Sequence, residues 1–346
     1  MKMQINFGLN DIMAKLMDFF KNETVFSISL ILAIISCFFV KPSVNYLNYI
    51  NWDTIILLFA IMVVVEILKN LAIFEILVRK LLVRIGNTYS LLFILVFIVF
   101  FSSIFITNDV SLIIFIPFTI LALKKVERVD LTILTVSLQT IAANVGCMVL
   151  PIGAPHNIVM YTVSKIPFES FFILLLPYVT VSVLFLIVVL FFVPRDDITL
   201  PKLSKVDKNY DNFFKRVFLG VDYYLLLTFI ALFVLIGNLE NIPFFTSLFE
   251  RWIAGNEVVC GVVLSQVISN VPAAMLLSGF STNYDAIIIG INIGGLGTLI
   301  ASMANLISYK ILVKEYNEFK IRYLIIFTVL NVILLVILLI MNVILN

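Results

Sequence analysis

Long apolar segments separated by short polar breaks run along the chain, and the two-residue alternation of a half-buried strand is missing. Glu23–Val40, Trp52–Leu68, Phe168–Val193, Tyr223–Gly237 and Tyr323–Ile344 read as helices that cross a bilayer. Leu71–Asn87 and Ile242–Ala254 are amphipathic at helical spacing and predict helices lying in the membrane interface. Four more apolar regions are interrupted. Tyr89–Leu123 is broken by T-N-D at Thr107–Asp109, and Val258–Gly279 by S-N at Ser269–Asn270. Leu131–Val163 contains NVGCMVLPIGAPHN (Asn144–Asn157), and Asp285–Val313 contains NIGGLGTLIASMAN (Asn292–Asn305). The one long polar stretch is Pro194–Arg216.

Composition narrows the class. The chain is 62% hydrophobic and 13% charged, against ~45–50% and ~25% for a soluble domain. Too little polar surface remains to cover a soluble fold, and the alternating strands of an outer-membrane barrel are absent. The first 22 residues carry three lysines and no small-residue cleavage site, so they read as an interfacial segment rather than a cleaved leader. Cys37, Cys147 and Cys260 are scattered and predict neither a metal site nor a disulfide framework.

Charge placement decides the topology. If the two regions broken at Thr107–Asp109 and Ser269–Asn270 are re-entrant hairpins, seven full crossings remain. Twenty of the 23 lysines and arginines then fall on the cytoplasmic side, leaving Lys41, Lys165 and Arg251 outside. If both regions cross once, the split is only 13 to 10. The positive-inside rule selects the hairpins, with the N-terminus cytoplasmic and the C-terminus outside in the plasma membrane.

The two glycine-rich breaks align without gaps: Asn144 with Asn292, Gly146 with Gly294, Ile152 with Ile300 and Asn157 with Asn305. The order span, interfacial helix, hairpin, broken span, span occurs twice, each time after an aspartate (Asp53, Asp222). Three full crossings per set would turn the second copy upside down. The expected fold is an all-α polytopic membrane protein of two inverted-topology repeats, each with a re-entrant hairpin and a discontinuous helix. Its parts are an N-terminal segment with a first span (1–50), repeat 1 (51–193), a cytoplasmic loop (194–217) and repeat 2 (218–346). Recurrence of Gly and Asn through close helix packing in lipid is the plainer alternative.

Pro151 and Pro155 remove backbone donors, while Gly146, Gly153, Gly294, Gly295 and Gly297 permit unwinding. Irregular backbone at membrane depth is tolerated where protein or a wet cavity satisfies it. Half-helix N-termini there suit an anion, and unwound carbonyls suit Na⁺ or H⁺. Thr107, Asn108, Asn144, Asn157, Ser269, Asn270, Asn292, Thr298, Ser302 and Asn305 add hydrogen-bonding groups without fixed charge.

INWDTIILLFAIMVVVE (Ile50–Glu66), FITNDVSLIIFIPF (Phe105–Phe118), NVGCMVLPIGAPHN, SQVISNVPAAMLL (Ser265–Leu277) and GINIGGLGTLIASMANLIS (Gly290–Ser308) together resemble the ion transporter superfamily. That group holds divalent anion:sodium symporters, citrate transporters, arsenite permeases and NhaD-type antiporters. The resemblance implies tip ligands at Thr107, Asn108, Ser269 and Asn270. It implies binding loops built by Asn144, Gly146, Gly153, Asn292, Gly294, Gly297 and Thr298; Asn157 and Asn305, which end the two breaks, are expected in the same site, with Na⁺ at Asn108, Asn144, Asn270 and Asn292. It also implies elevator-type movement, a homodimer and, from the arsenite-permease branch, room for a separate ATPase subunit. Thr107, Asp109 and Val271 depart from the Ser-Asn-Thr tips of the symporters, and T-N-D is closer to the arsenite-permease and NhaD-type branch.

Asp109 is either a cation or proton carrier or a cap for a helix starting at Val110. His156 is expected to hydrogen-bond backbone rather than titrate, Glu66 to pair with Lys69, and Cys147 to be a small packing residue. Asp53 and Asp222 are expected at helix N-termini. No enzyme is expected, because one histidine and three scattered cysteines supply neither nucleophile–base pair nor metal cluster. The expected function is secondary-active transport of a small anion or oxyanion (carboxylate, sulfate or arsenite-like) coupled to Na⁺ or H⁺, with no cofactor and no nucleic acid. A Na⁺/H⁺ antiporter using Asp109 is the alternative, with an ion channel behind it.

Overall fold

The structure is a computed structural model that describes residues 23–71, 85–198 and 212–345. The N-terminal segment 1–22, most of the expected interfacial helix Leu71–Asn87 and positions 199–211 of the polar loop lie outside the described residues. The described residues fold into helices joined by turns: α1 (Thr24–Ser36), α2 (Trp52–Asn70), α3 (Thr88–Phe105), α4 (Asn108–Lys125), α5 (Thr132–Gly146), α6 (Pro155–Ser164), α7 (Phe168–Phe191), α8 (Phe213–Gly220), α9 (Tyr223–Glu240), α10 (Pro243–Ile253), α11 (Glu257–Ile268), α12 (Asn270–Phe280), α13 (Tyr284–Gly294), α14 (Met303–Glu315) and α15 (Lys320–Leu345). A single turn of helix at Tyr46–Tyr49 precedes α2.

Polar residues at the breaks set the helix starts. Asn51, Asn87, Asp222 and Asn283 each accept a hydrogen bond from the backbone N–H three residues on, capping α2, α3, α9 and α13. Among the described residues, five helical segments are long and apolar enough to cross a membrane: Thr88–Phe105, Val129–Gly146, Phe168–Phe191, Phe213–Glu240 and Asn317–Leu345. The other expected crossings fall short for local reasons. The first was read as Glu23–Val40, but its helix ends at Ser36; its 13 residues cover only ~20 Å. α2 carries Asp53, Glu66 and Lys69, and the span 285–313 is divided between α13 and α14.

Both interrupted regions double back. Only Ile106 and Thr107 separate α3 from α4, both extended. The Gln139 amide of α5 donates to Leu95 O at 2.9 Å on α3 and to Thr119 Oγ1 at 2.7 Å on α4. Those two positions are nearly equidistant in sequence from the turn, as an antiparallel hairpin requires. In the second hairpin Ser269 alone joins α11 to α12, and its φ of 73° lies where residues other than glycine are strained. The open end of that hairpin is tied by Ser281 Oγ donating to Glu257 Oε1 at 3.0 Å.

The core has two parts. One large apolar cluster unites α3–α7 with α11–α15. A smaller one, of Leu58, Leu226, Phe229, Leu232 and Ile236 against Ile158, Val159 and Met275, joins α2 and α9 to α6 and α12. α1 rides on α9, where Asn238 Nδ2 donates to Ser36 Oγ at 2.8 Å and to Tyr46 Oη at 3.0 Å. The start of the polar loop returns to the base of the first hairpin. Thr88 N donates to Asp196 O at 3.0 Å, and the Arg128 guanidinium pairs with Asp196. On the far side of the loop, α8 packs on α2 and ends with Gly220 against the Glu66 carboxylate.

Candidate functional site

Four helices begin around one cavity. The first turns of α4 (Asp109), α6 (Pro155), α12 (Val271) and α14 (Met303) line a space of about 320 Å³, together with Thr107 and Ser269 from the two hairpin turns. α1, α2 and α9 close its other side, contributing among others Glu66, Lys69 and Asp222. Free N–H groups and the positive ends of helices therefore converge where both hairpins turn. The expected pair forms at the cavity's mouth, Lys69 Nζ to Glu66 Oε1 at 2.8 Å. Asp222 sits at the N-terminus of α9 and Asp53 in the first turn of α2, as expected.

Asp109 does not cap α4. The helix starts at Asn108, two residues before the expected Val110, so Asp109 lies within its first turn. Asn108 Oδ1 accepts from Asp109 N at 3.0 Å, while Asp109 Oδ1 is buried without a hydrogen-bond partner. A carboxylate oxygen buried unpaired is costly unless something binds it.

Behind the cavity, six buried asparagines knit the breaks together. Asn108 Nδ2 donates to Asn144 Oδ1 at 3.1 Å, and Asn144 Nδ2 to Asn305 Oδ1 at 2.7 Å. Asn157 and Asn292 exchange two amide hydrogen bonds, at 3.1 and 2.7 Å. Asn157 Nδ2 also reaches Cys147 O at 2.9 Å, and Asn305 Nδ2 reaches Gly295 O at 3.0 Å, ten residues back in each case. The tip Asn270 enters through its backbone, whose N–H donates to Ala301 O at 3.0 Å. Ser302 Oγ adds a bond to Asn144 Oδ1 at 3.2 Å.

This arrangement sorts the expected residues. Thr107, Asp109 and Ser269 face the cavity; Asn108 and Asn270 are buried directly beside it. Asn144, Asn157, Asn292 and Asn305 were read as bracketing unwound loops, but they belong to helix ends, and the irregular stretches are the shorter 147–154 and 295–302. Their amides are taken up by one another. Asn144 Oδ1 and Asn292 Oδ1 already face protein donors, so a Na⁺ at either would have to displace one. Gly146, Gly153 and Gly294 are packing positions. A methyl on Gly146 would overlap the Phe100 carbonyl of α3, and one on Gly294 would meet Ser265. Gly297 has φ 108°, which requires glycine, and Thr298 is exposed. His156 faces a side chain instead of backbone, its Nε2 3.3 Å from Asn292 Oδ1. Cys147 is buried, with its thiol donating to Asn144 O.

Sequence reasoning missed Gln266. Its Nε2 donates to Gly294 O and Leu296 O at 2.8 and 2.9 Å, and its Oε1 accepts from Thr298 N at 2.8 Å, so it splints the second break. An amide one turn before a hairpin tip, in an otherwise apolar helix, was the available signal. Counting back from the first tip gives Ile104, so comparing the two halves could not expose it.

The family model described as Citrate transporter (CitMHS) matches residues 12–285. An uncharacterized transporter of Methanocaldococcus jannaschii is 33% identical over 296 residues, which cover 76% of this chain and 82% of that protein. The inner membrane protein YbiR of Escherichia coli is 29% identical over 299 residues, 75% and 80% of the two chains. A Dictyostelium discoideum protein carrying the transporter name arsB is 30% identical over 125 residues, 36% and 22% of the two chains.

Proposed function

Since this chain belongs to the citrate transporter family, and is therefore a multi-pass membrane transporter, we propose that it carries a small anion or oxyanion by secondary-active transport coupled to Na⁺ or H⁺. The observation that carries the reading is the convergence of four helix N-termini and both hairpin turns on one cavity. Such N-termini offer an anion first-turn N–H groups and a favourable dipole, while the one cation of the lining, Lys69, is already paired with Glu66. Thr107, Asn108, Ser269 and Asn270 contact the substrate in this reading, and Asn144, Asn157, Asn292 and Asn305 hold the breaks in place. The crossed pairing supports two inverted repeats: Asn144 meets Asn305 and Asn157 meets Asn292, as a two-fold relation between aligned positions would produce. The small apolar cluster between α2–α9 and α6–α12 supports elevator-type sliding, since few polar bonds would break when one body moves along the other. The charge distribution supports a cytoplasmic N-terminus in the plasma membrane.

Asp109 favours a second reading, Na⁺/H⁺ antiport. Its unpaired oxygen lies beside a cavity whose other charged lining residues are Glu66, Asp222 and Lys69, so acids outnumber bases. Uptake into proteoliposomes under imposed Na⁺ or pH gradients, with citrate, succinate, sulfate, arsenite and Na⁺ as candidates, separates the two. Gradient-driven accumulation of an anion supports the first. Na⁺-for-H⁺ exchange without any anion supports the second, and flux at channel rates independent of gradient refutes both. Asp109→Asn should abolish the dependence on the coupling gradient while leaving the protein folded.

A further inference from the structure

A second cavity, of about 340 Å³, opens between the same two groups of helices as the first. α2 and α9 run past both. Glu66, near the end of α2, and Asp222, at the head of α9, line the first cavity; Asn51, ahead of α2, and Glu240, closing α9, line the second. The cluster of Leu58, Phe229, Leu232, Ile158, Val159 and Met275 lies along the interface the two share. The charge distribution places the Glu66 end on the cytoplasmic side and the Glu240 end outside.

The two ends are electrostatically different. In the first cavity Glu66 is paired with Lys69, while Asp109 and Asp222 share the lining. Glu240 is the one charged side chain lining the second cavity, and it makes no ion pair among the described residues. Its carboxylate lies against the backbone of Gly279 on α12, where a methyl group would collide with Oε1. α12 carries no charged residue. The Tyr46–Tyr49 turn brings the Tyr49 hydroxyl, which accepts from Asn241 Nδ2 at 3.2 Å. α10, tied to the end of α9 by Thr246 Oγ1 donating to Glu240 O at 3.0 Å, carries Arg251, and Lys165 follows α6. Asp53 heads α2. Neither Arg251 nor Lys165 is within ion-pair distance of Glu240.

We propose that Glu240 is the outer collecting site for the coupling cation, a proton or Na⁺, which it concentrates at the mouth of the second cavity before the cation passes to the hairpin tips. The inference rests on the cation-coupled carrier reading above. An exposed, unpaired carboxylate at the edge of a partly enclosed cavity raises the local cation concentration, and the effect is screened by salt.

The test uses the full-length protein in proteoliposomes of determined orientation, with external and internal Na⁺ or pH varied separately. Glu240→Gln should raise the half-saturating external cation concentration about fivefold, the effect of one screened charge at close range. The saturating rate and the internal dependence should not change. Glu240→Asp should stay near wild type, and choline chloride at high ionic strength should shrink the difference. An unchanged external dependence in Glu240→Gln, an equal shift on both sides, or a shift insensitive to salt would each overturn the proposal. Wild-type uptake that ignores every cation gradient would overturn the carrier reading itself, and that control is read before any variant.

Discussion

Replacing Asn292 with alanine removes the two short hydrogen bonds it donates, to Asn157 Oδ1 at 2.7 Å and to Ile288 O at 2.8 Å, and the two longer contacts its Oδ1 makes with Asn157 Nδ2 at 3.1 Å and His156 Nε2 at 3.3 Å. It leaves Asn157 Oδ1 buried without a donor, while Asn157 Nδ2 keeps Cys147 O. An orphaned buried acceptor costs ~1–3 kcal/mol, and a helix–helix side-chain bond in a membrane protein adds ~0.6 kcal/mol. The expected loss for Asn292→Ala is therefore about 2 kcal/mol. Asn157→Ala should cost about the same, since it strips Cys147 O of its side-chain donor and leaves Asn292 Oδ1 only the longer 3.3 Å contact from His156 Nε2. In the double variant Asn157 Oδ1 is no longer there to be left without a donor, so the total should be about 3 kcal/mol and the coupling about 1 kcal/mol, within the range for residues in direct contact. The Asn144 and Asn305 pair should give coupling of the same sign, reduced because Asn305 Nδ2 holds Gly295 O and Thr298 O independently. Reversible unfolding in mixed micelles, followed by Trp52 and Trp252 fluorescence, measures all these quantities. Additivity within a few tenths of a kcal/mol for both pairs would refute the claim that these amides hold the two breaks to each other.

Gly146→Ala should destabilise by about 1–3 kcal/mol, because its methyl meets the Phe100 carbonyl; Gly86→Ala, where nothing lies within 4 Å, should unfold like wild type in the same assay. Ser269→Gly should raise stability by about 1 kcal/mol by relieving the strained turn and weaken substrate binding by removing a hydroxyl from the cavity; a lower melting temperature would refute the strain.

Much of this architecture was legible because lipid punishes irregular backbone. Gly, Pro and Asn at Asn144–Asn157 and Asn292–Asn305 could be tolerated only at real breaks, and the helices do stop at Gly146 and Gly294 and restart at Pro155 and Met303. The hairpin turns at Thr107 and Ser269 were legible for the same reason. Less legible was what the polar groups touch. Periodicity places Asn157 on a helix but carries no information about a partner 135 residues away, so the amide pairs between the two breaks were not legible. The start of α4 was misjudged by two residues, because N-D offers two candidate caps in a row and only the backbone trace shows that the turn ends at Thr107. Gln266 escaped because its bonds are all to main chain, which no side-chain pattern records.

The crossed amide pairs also set a timetable for synthesis. Asn157 waits for Asn292 and Asn144 for Asn305, separations of 135 and 161 residues. At ~5–20 residues per second, the ribosome needs roughly seven to thirty seconds to deliver each partner. During that interval the first half must sit in the bilayer with carboxamides that its own sequence does not fully satisfy. The newborn chain is thus most exposed to misrouting midway through translation, when a protein that shelters polar groups in lipid would be of most use to it.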